Sequence, residues 1–455
     1  MTNPSLKPLL IESIPRLRGS KPKIWVEGYG CSASTADFEM IKGILKEAGY
    51  GMAANVSESA LSIIVTCSVK DRTEHRMVHR IKRLAGLQKP LIVAGCLPKA
   101  DERLVGRISP QASLMGPDSI ERTAEIVDRA LAGSITTALD GPAGAKLGLP
   151  KVRLNEAVAI VEIASGCLSE CSFCQTKLAK GELRSYRPID ICDQIEREIA
   201  EGCREIWLTS TDNGCYGRDI GTDLADLVVR CSRIKPERPA SGTSEFMVRV
   251  GMLNPMYLPP IQKRLIEAFR NDRIFKFLHV PVQSGSDSVL KKMKRGHTAE
   301  TFLKTAAAFR SSIPETTIAT DIIVGFPSET TRDFELTLDL LRQSEPDIIN
   351  ISRFSARPGT SAAKMRPRAD SSEIKRRTVE AHALARELMT RRNSGWLGWA
   401  GRIIIDEIDD HHVQGRNLAY KPVVLENPPL GIKLGKFVDV RISDYTPLVL
   451  RGRVT

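Results

Sequence analysis

No stretch of the 455 residues reaches the run of about 18 apolar residues that a membrane-spanning helix needs, so no membrane is expected. The opening stretch MTNPSLKPLLIESIPRLRGSKPK lacks a secretory h-region, because Pro and charge break its apolar patches. Without such a signal, the ten cysteines are expected as reduced ligands or core thiols in a cytoplasmic protein, not as disulfides. Acidic residues are in deficit, 54 against 66 basic ones, which gives a formal net charge of +12 and a pI near 9.2. That balance suits a polyanionic partner such as nucleic acid, or simply a soluble basic surface; charge alone does not choose. An apolar share of 42% argues against disorder, and the length exceeds one ordinary core, so about three domains are expected.

What is present is an α/β alternation, twice. Over residues 21–135, KIWVEGYG, ALSIIVTCS and PLIVAGC read as strands, with helical periodicity in DFEMIKGILKEAGYG and EHRMVHRIKRLAGLQ. A small, mostly parallel sheet follows. Residues 136–155, rich in Gly, Pro and Lys, read as a linker. Over 156–385 the alternation resumes on a larger scale. VAIVEIAS, EIWLTS, FMVRVGM, KFLHVPV, TIATDIIVGF and PDIINISRF are its strands, which fits a βα barrel or an open doubly wound sheet. Residues 390–455 change to short strands and turns, the pattern of a small all-β barrel.

Six cysteines fall into two sets. Cys31, Cys67 and Cys96 each sit at or just past the end of a predicted strand, in YGC, VTC and AGC. Loops after strand C-termini gather at one edge of a parallel sheet, so three distant cysteines can converge there. The competing reading is three buried small hydrophobes. Cys167, Cys171 and Cys174 lie in GCLSECSFC, spaced C-x3-C-x2-C, after the strand VAIVEIAS. A structural zinc site asks for four protein ligands. Closely spaced thiolates also hold iron–sulfur clusters, and three of them leave one iron of a cubane open.

The C-x3-C-x2-C spacing resembles the radical S-adenosylmethionine (SAM) superfamily. A wider set of motifs, YGC, TCSVKDRTEHR, AGCLP, GCLSECSFCQTKLAKGELRSYRP, EIWLTSTDNGCYGRDIG, HVPVQSGSDSVLKKMKRG, TDIIVGFPSET and ARPGTSAAKM, looks like the tRNA methylthiotransferases. CQTKLAKGELRSY in particular resembles the archaeal and eukaryotic branch that acts on threonylcarbamoyladenosine in tRNA. The resemblance implies an N-terminal Rossmann-like α/β domain, a central radical SAM partial (βα)6 barrel and a C-terminal TRAM domain, an OB-like β-barrel. It implies two [4Fe–4S] clusters, one on Cys167, Cys171 and Cys174 that binds and cleaves SAM, and an auxiliary one on Cys31, Cys67 and Cys96 that carries the sulfur. It implies methylthiolation of C2 of the modified adenine, with tRNA as partner, a reduced electron donor and a sulfur source. No catalytic residue beyond the cluster ligands is implied. The family's usual Asn three positions after the first cysteine is Ser34 here, whereas Asp37 matches. Two rivals stand beside this reading: a radical SAM RNA methylase with a structural triad, and a non-catalytic zinc and RNA-binding protein.

Other positions carry weaker signals. Asp212 and Asn213 in TSTDNGCYG, Gln283 and Ser284 (with Ser286) in PVQSGSD, and Gly325 in VGFPSE follow strands and are expected to bind SAM; each also reads as ordinary turn chemistry. DDHH at 409–412 reads as a solvated hairpin loop rather than a metal site. Cys192, Cys203, Cys215 and Cys231 follow no ligand spacing and read as core or incidental. Trp396, Trp399, Tyr420 and Tyr445 could stack on RNA bases, though barrel core is the commoner fate of each.

Overall fold

A computed structural model describes residues 21–67, 71–141, 146–236 and 245–455. Part of the TCSVKDRTEHR motif, at 68–70, and part of the expected linker, at 142–145, lie outside the described residues. The strand Leu61–Thr66 and its neighbour Leu91–Gly95 are buried at every position. Such continuously apolar runs suit strands covered on both faces. Helices Ser32–Glu47 and Thr123–Leu131 supply one covering layer, through Ile41, Leu45, Ile126 and Val127. The other carries Ile81, Leu84 and Val105. The sheet is parallel throughout, in the order Gly51–Met52, Lys23–Gly28, Leu61–Thr66, Leu91–Gly95, Ser113–Met115, Thr137–Ala138. Thr137–Ala138 forms its edge by pairing with Leu114 and Met115, so the stretch expected as a linker begins as sheet.

Six parallel strands form the central unit in chain order. Val158–Glu162, Glu205–Thr209 and Met247–Val250 make one three-stranded sheet, and Phe277–His279, Thr317–Val324 and Ile348–Arg353 the other. A parallel bridge between Val248 and Ile274 links the halves, giving a partial barrel rather than an open doubly wound sheet. The helices lie outside and share one apolar core with the strands. Val158 and Ile160 also pack into the core of the N-terminal sheet, so the two α/β units meet across this first barrel strand.

Helix Ser371–Ser394 runs through position 390, where a boundary was expected. Its Ala381, Ala385, Leu388 and Met389 are buried in the central core, which holds the helix to that unit up to the last turns. The C-terminal strands then close a barrel in the order Ala400–Ile408, Val413–Asn417, Pro422–Leu425, Leu450–Val454, Phe437–Tyr445. This small barrel docks on the inner strands of the larger one. Tyr420 and Ile404 pack with Phe275, Phe277 and Ala319, and the Arg249 guanidinium lies 5.1 Å from the rings of Trp207, Phe277 and Tyr420 alike. Tyr420 donates to Glu205 at 3.0 Å, and buried Lys421 reaches Asp347 at 3.1 Å and Asn393 at 2.8 Å. Tyr420 is therefore a docking residue and not a platform for a base.

Candidate functional site

Lys23–Gly28, Leu61–Thr66 and Leu91–Gly95 are neighbours in the sheet, and Cys31, Cys67 and Cys96 follow their C-terminal ends. Parallel strands of one sheet finish at one edge, so the fold brings three cysteines from distant parts of the chain to one place. Cys31 caps helix Ser32–Glu47. A hydrogen bond with Cys67 pulls its thiol down to about 5, and the Ser34 hydroxyl lies 3.7 Å from its sulfur. Burial pushes the Cys96 thiol up to about 12. Gly30 has φ +137°, and a Cβ there would lie 2.4 Å from the Cys67 Cβ, so the loop closes over the cysteines only as glycine.

The second triad hangs on the loop that leaves the first barrel strand. Gly166 turns with φ +73°, where a Cβ would strike the Glu182 carbonyl oxygen at 1.8 Å. The Ser169 amide donates to the Cys167 sulfur at 3.2 Å, and Cys174 caps helix Gln175–Lys180. Arg295 donates to the Cys171 sulfur at 3.3 Å. Burial pushes Cys174 up to about 11. Cys215, read from sequence as core or incidental, is wholly buried, and against this triad. Its sulfur, that of Cys167 and a carboxylate oxygen of Asp212 all lie within 4.8 Å of one another, and its thiol donates to the Asp212 carbonyl at 3.1 Å. The hydrogen bond with Cys167, and then burial, raise the Cys215 pKa far above the thiol range, while the same bond lowers that of Cys167. Cys192 forms a similar thiol pair with Cys231, away from either triad.

A buried network of charge ties the two sites together. Lys146 reaches Asp37 at 2.5 Å and Glu162 at 3.7 Å, Lys180 reaches Glu162 at 3.2 Å, and the Tyr186 hydroxyl donates to Glu162 at 3.0 Å. All four charged side chains are buried. Burial opposes ionisation, yet the two ammonium groups bring Glu162 down to about 2. Asp37 belongs to the helix that Cys31 caps, and Lys180 ends the helix that Cys174 caps. Lys180 also exerts its charge on Cys31 and Cys96, and its helix packs on Cys96–Ala100. Lys146 comes from the stretch expected as a linker, which is here a packed strut: Val152 donates to the Glu39 carbonyl, and Lys151 pairs with Glu198 at 2.8 Å.

The residues expected at SAM divide into three groups. Asp212 lies beside Cys167, but one carboxylate oxygen accepts from the Gly214 and Asn254 amides, both at 2.9 Å, and so orders its own loop. Asn213 donates to the Met252 carbonyl at 3.1 Å and keeps a buried, unpartnered side-chain oxygen. Ser284 faces helix Thr331–Ser344: its hydroxyl lies 3.3 Å from that of Thr337 and accepts from the Ser286 amide at 3.2 Å. Ser286 caps helix Asp287–Lys292. Gln283 takes φ +76° and pairs with Ile322 as a β-bridge. Gly325 takes φ +78° and donates its amide to Glu329 at 2.8 Å. Sequence reading missed Gln175, whose buried Oε1 has no partner beside Cys174, and the unpartnered hydroxyl of Ser165, two residues before Cys167. DDHH sits in an exposed hairpin, where Asp409 accepts from the His411 and His412 amides at 2.7 and 2.9 Å.

Two parallel α/β units whose strand ends present thiol triads, followed by a small closed barrel, are the architecture of a radical SAM protein with an accessory N-terminal α/β domain. Comparison agrees at each segment. Residues 161–341 match the Radical SAM superfamily, 23–116 the Uncharacterized protein family UPF0004, and 402–455 the TRAM domain. The chain belongs to the threonylcarbamoyladenosine tRNA methylthiotransferase family. It is 35% identical to a probable member from Pyrococcus horikoshii, over 95% of this chain and 99% of that one. It is 36% identical to a member from Drosophila pseudoobscura pseudoobscura, over 99% of this chain and 80% of that one. A solved radical SAM methyltransferase from Kitasatospora setae shares the fold at a TM-score of 0.55 and 13% identity, covering 75% of this chain and 77% of its own. The superfamily uses SAM and a [4Fe–4S] cluster, and the donor set fits both. Three sulfurs lie on one glycine-turned loop, with unpartnered buried oxygens on Ser165, Gln175 and Asn213 available to a cofactor's N–H and O–H donors.

Proposed function

We propose that the chain is a tRNA methylthiotransferase that converts N6-threonylcarbamoyladenosine beside the anticodon into 2-methylthio-N6-threonylcarbamoyladenosine, in the cytoplasm. The observation that supports it most directly is the pair of thiol triads, joined through the buried Asp37–Lys146–Glu162–Lys180 network. Cys167, Cys171 and Cys174 would hold the SAM-binding cluster, and Cys31, Cys67 and Cys96 a second [4Fe–4S] cluster. When bound, these groups supply one electron to the sulfonium of SAM and a sulfur atom for transfer. The protein's part is position and exclusion of water. The ion network fixes one triad relative to the other at low exposure, so reactants at the two sites meet in one geometry. The Lys180 ammonium supplies positive charge beside Cys31 and Cys96, which favours anionic sulfur there. An external reduced electron donor and a sulfur source complete the reaction.

The deciding experiment is the mass of the nucleoside formed on tRNA by the anaerobically reconstituted protein. A methylthio increment on threonylcarbamoyladenosine is expected. A methyl increment alone would identify an RNA methylase whose Cys31 triad is structural, and zinc without iron would identify a binding protein.

A further inference from the structure

Arg295 is buried, with 5% of its surface exposed, and no carboxylate lies within ion-pair distance of it among the described residues. The buried Asp212 carboxylate feels the charge of Arg295 only from beyond that distance, and a buried cation with no anion in contact is costly, so an anion is expected at its tip. One terminal nitrogen donates to the Pro281 carbonyl at 2.7 Å, which fixes the guanidinium plane. The other donates to the Cys171 sulfur at 3.3 Å, and Nε has no partner. Burial and the charge of Arg295 hold His297, two residues on, down to about 4, so that imidazole adds no second positive charge. Arg295 carries only N–H donors and so is not a ligand; what it touches is the middle sulfur of the triad.

We propose that Arg295 is a positioning residue of the radical-generating centre, holding the Cys171 thiolate by a charge-assisted N–H···S bond and raising the reduction potential of the iron–sulfur group ligated there. The inference rests on the reading that Cys167, Cys171 and Cys174 hold that group. The sign follows from charge. Reduction adds one electron, taken from a low-potential one-electron donor, and so one unit of negative charge. A fixed cation stabilises the more negative state, and hydrogen bonds to ligand sulfurs do the same. Removing the guanidinium lowers the potential and makes the centre harder to reduce.

The test uses the full chain, anaerobically reconstituted, as wild type, Arg295→Gln and Arg295→Lys. Iron per chain, the midpoint potential of the SAM-binding cluster from a redox titration followed by electron paramagnetic resonance, and dithionite-driven formation of 5′-deoxyadenosine without RNA are read for each. In Arg295→Gln, iron is retained, the potential shifts negative, and SAM cleavage at fixed dithionite falls on the order of tenfold, with the Kd for SAM unchanged. Arg295→Lys recovers part of the potential. A wild-type potential in loaded Arg295→Gln overturns the inference, as does a raised Kd for SAM at unchanged potential, which would assign the guanidinium to SAM itself. Failure of both variants to load iron while melting like wild type also overturns it, leaving a role in assembly only. Absence of the cluster from wild type would instead overturn the reading on which the inference rests.

Discussion

At the scale of single residues, the sulfurs separate by what surrounds them. Cys31, Cys67 and Cys96 come from three neighbouring strand ends, so each single change to Ala is expected to remove the same group, about four irons per chain, while SAM is still cleaved without RNA. Iron analysis of the three variants checks this, and one variant with full iron and full product would break the set. Cys171→Ala is expected to abolish formation of 5′-deoxyadenosine. Cys215→Ala is the informative contrast. Its thiol is turned to the Asp212 carbonyl and buried behind Cys167, so full iron is expected in that variant despite its closeness to the triad. Loss of iron there would make Cys215 a ligand. Cys31, Cys67 and Cys96 were legible in the sequence because each stands where an apolar run stops, and Cys167, Cys171 and Cys174 because of their C-x3-C-x2-C spacing after a strand. Arg295, Lys180 and Gln175 were not, although all three lie inside the motifs: the sulfur that Arg295 meets is 124 residues away and the carboxylate that Lys180 meets 18, and that the Gln175 Oε1 is buried without a partner is a property of the folded chain alone.

Among elements, the seam between the two barrels carries a pH dependence. Burial, then the neighbouring Asp406, raise Glu205 from its ordinary 4.5 to about 7. The folded state thus holds the Glu205 proton more tightly than the unfolded chain. The resulting stability is present below about 4.5 and is lost as pH rises through about 7. Glu205→Gln is therefore expected to match wild type in thermal unfolding near pH 4.5 and to exceed it by about 3 kcal/mol at pH 8. A gap at acid pH that closes on the alkaline side would reverse the assignment. The strands of both α/β units were legible as apolar runs closed by Gly or polar residues. Ser113–Met115 and Thr137–Ala138 were not, since three and two residues carry no measurable period. The stretch after them looked like a linker because its Lys, Gly and Pro residues are polar by type. Its lysines are in fact buried by pairing with acids from other elements, a partnership that composition does not record.

For the whole molecule, the excess of basic charge has a measurable consequence. tRNA affinity is expected to fall as salt rises. Arg441 and Arg453 stand opposite each other on adjacent strands of the small barrel, both exposed; Glu426 pairs with Arg453 at 2.9 Å, and the like charges opposite still favour a further anion on this face. Changing either to Ala is expected to lower the slope of log affinity against log salt by about 0.7–0.9 if it meets a phosphate. An unchanged slope would remove that face from the RNA path. Point changes are the proper instrument here. Removing residues 390–455 would uncover Phe275, Phe277 and Trp207 and leave Asp347 without Lys421.

That docking has a consequence for how the protein is made. The small barrel follows both α/β units in the chain, so until Tyr420, Lys421 and the strands around them leave the ribosome, the central barrel waits with its aromatic floor and the Arg249 cation open to water. A chain stopped short carries every cysteine of both triads and yet shows a chaperone or protease the marks of an unfinished protein.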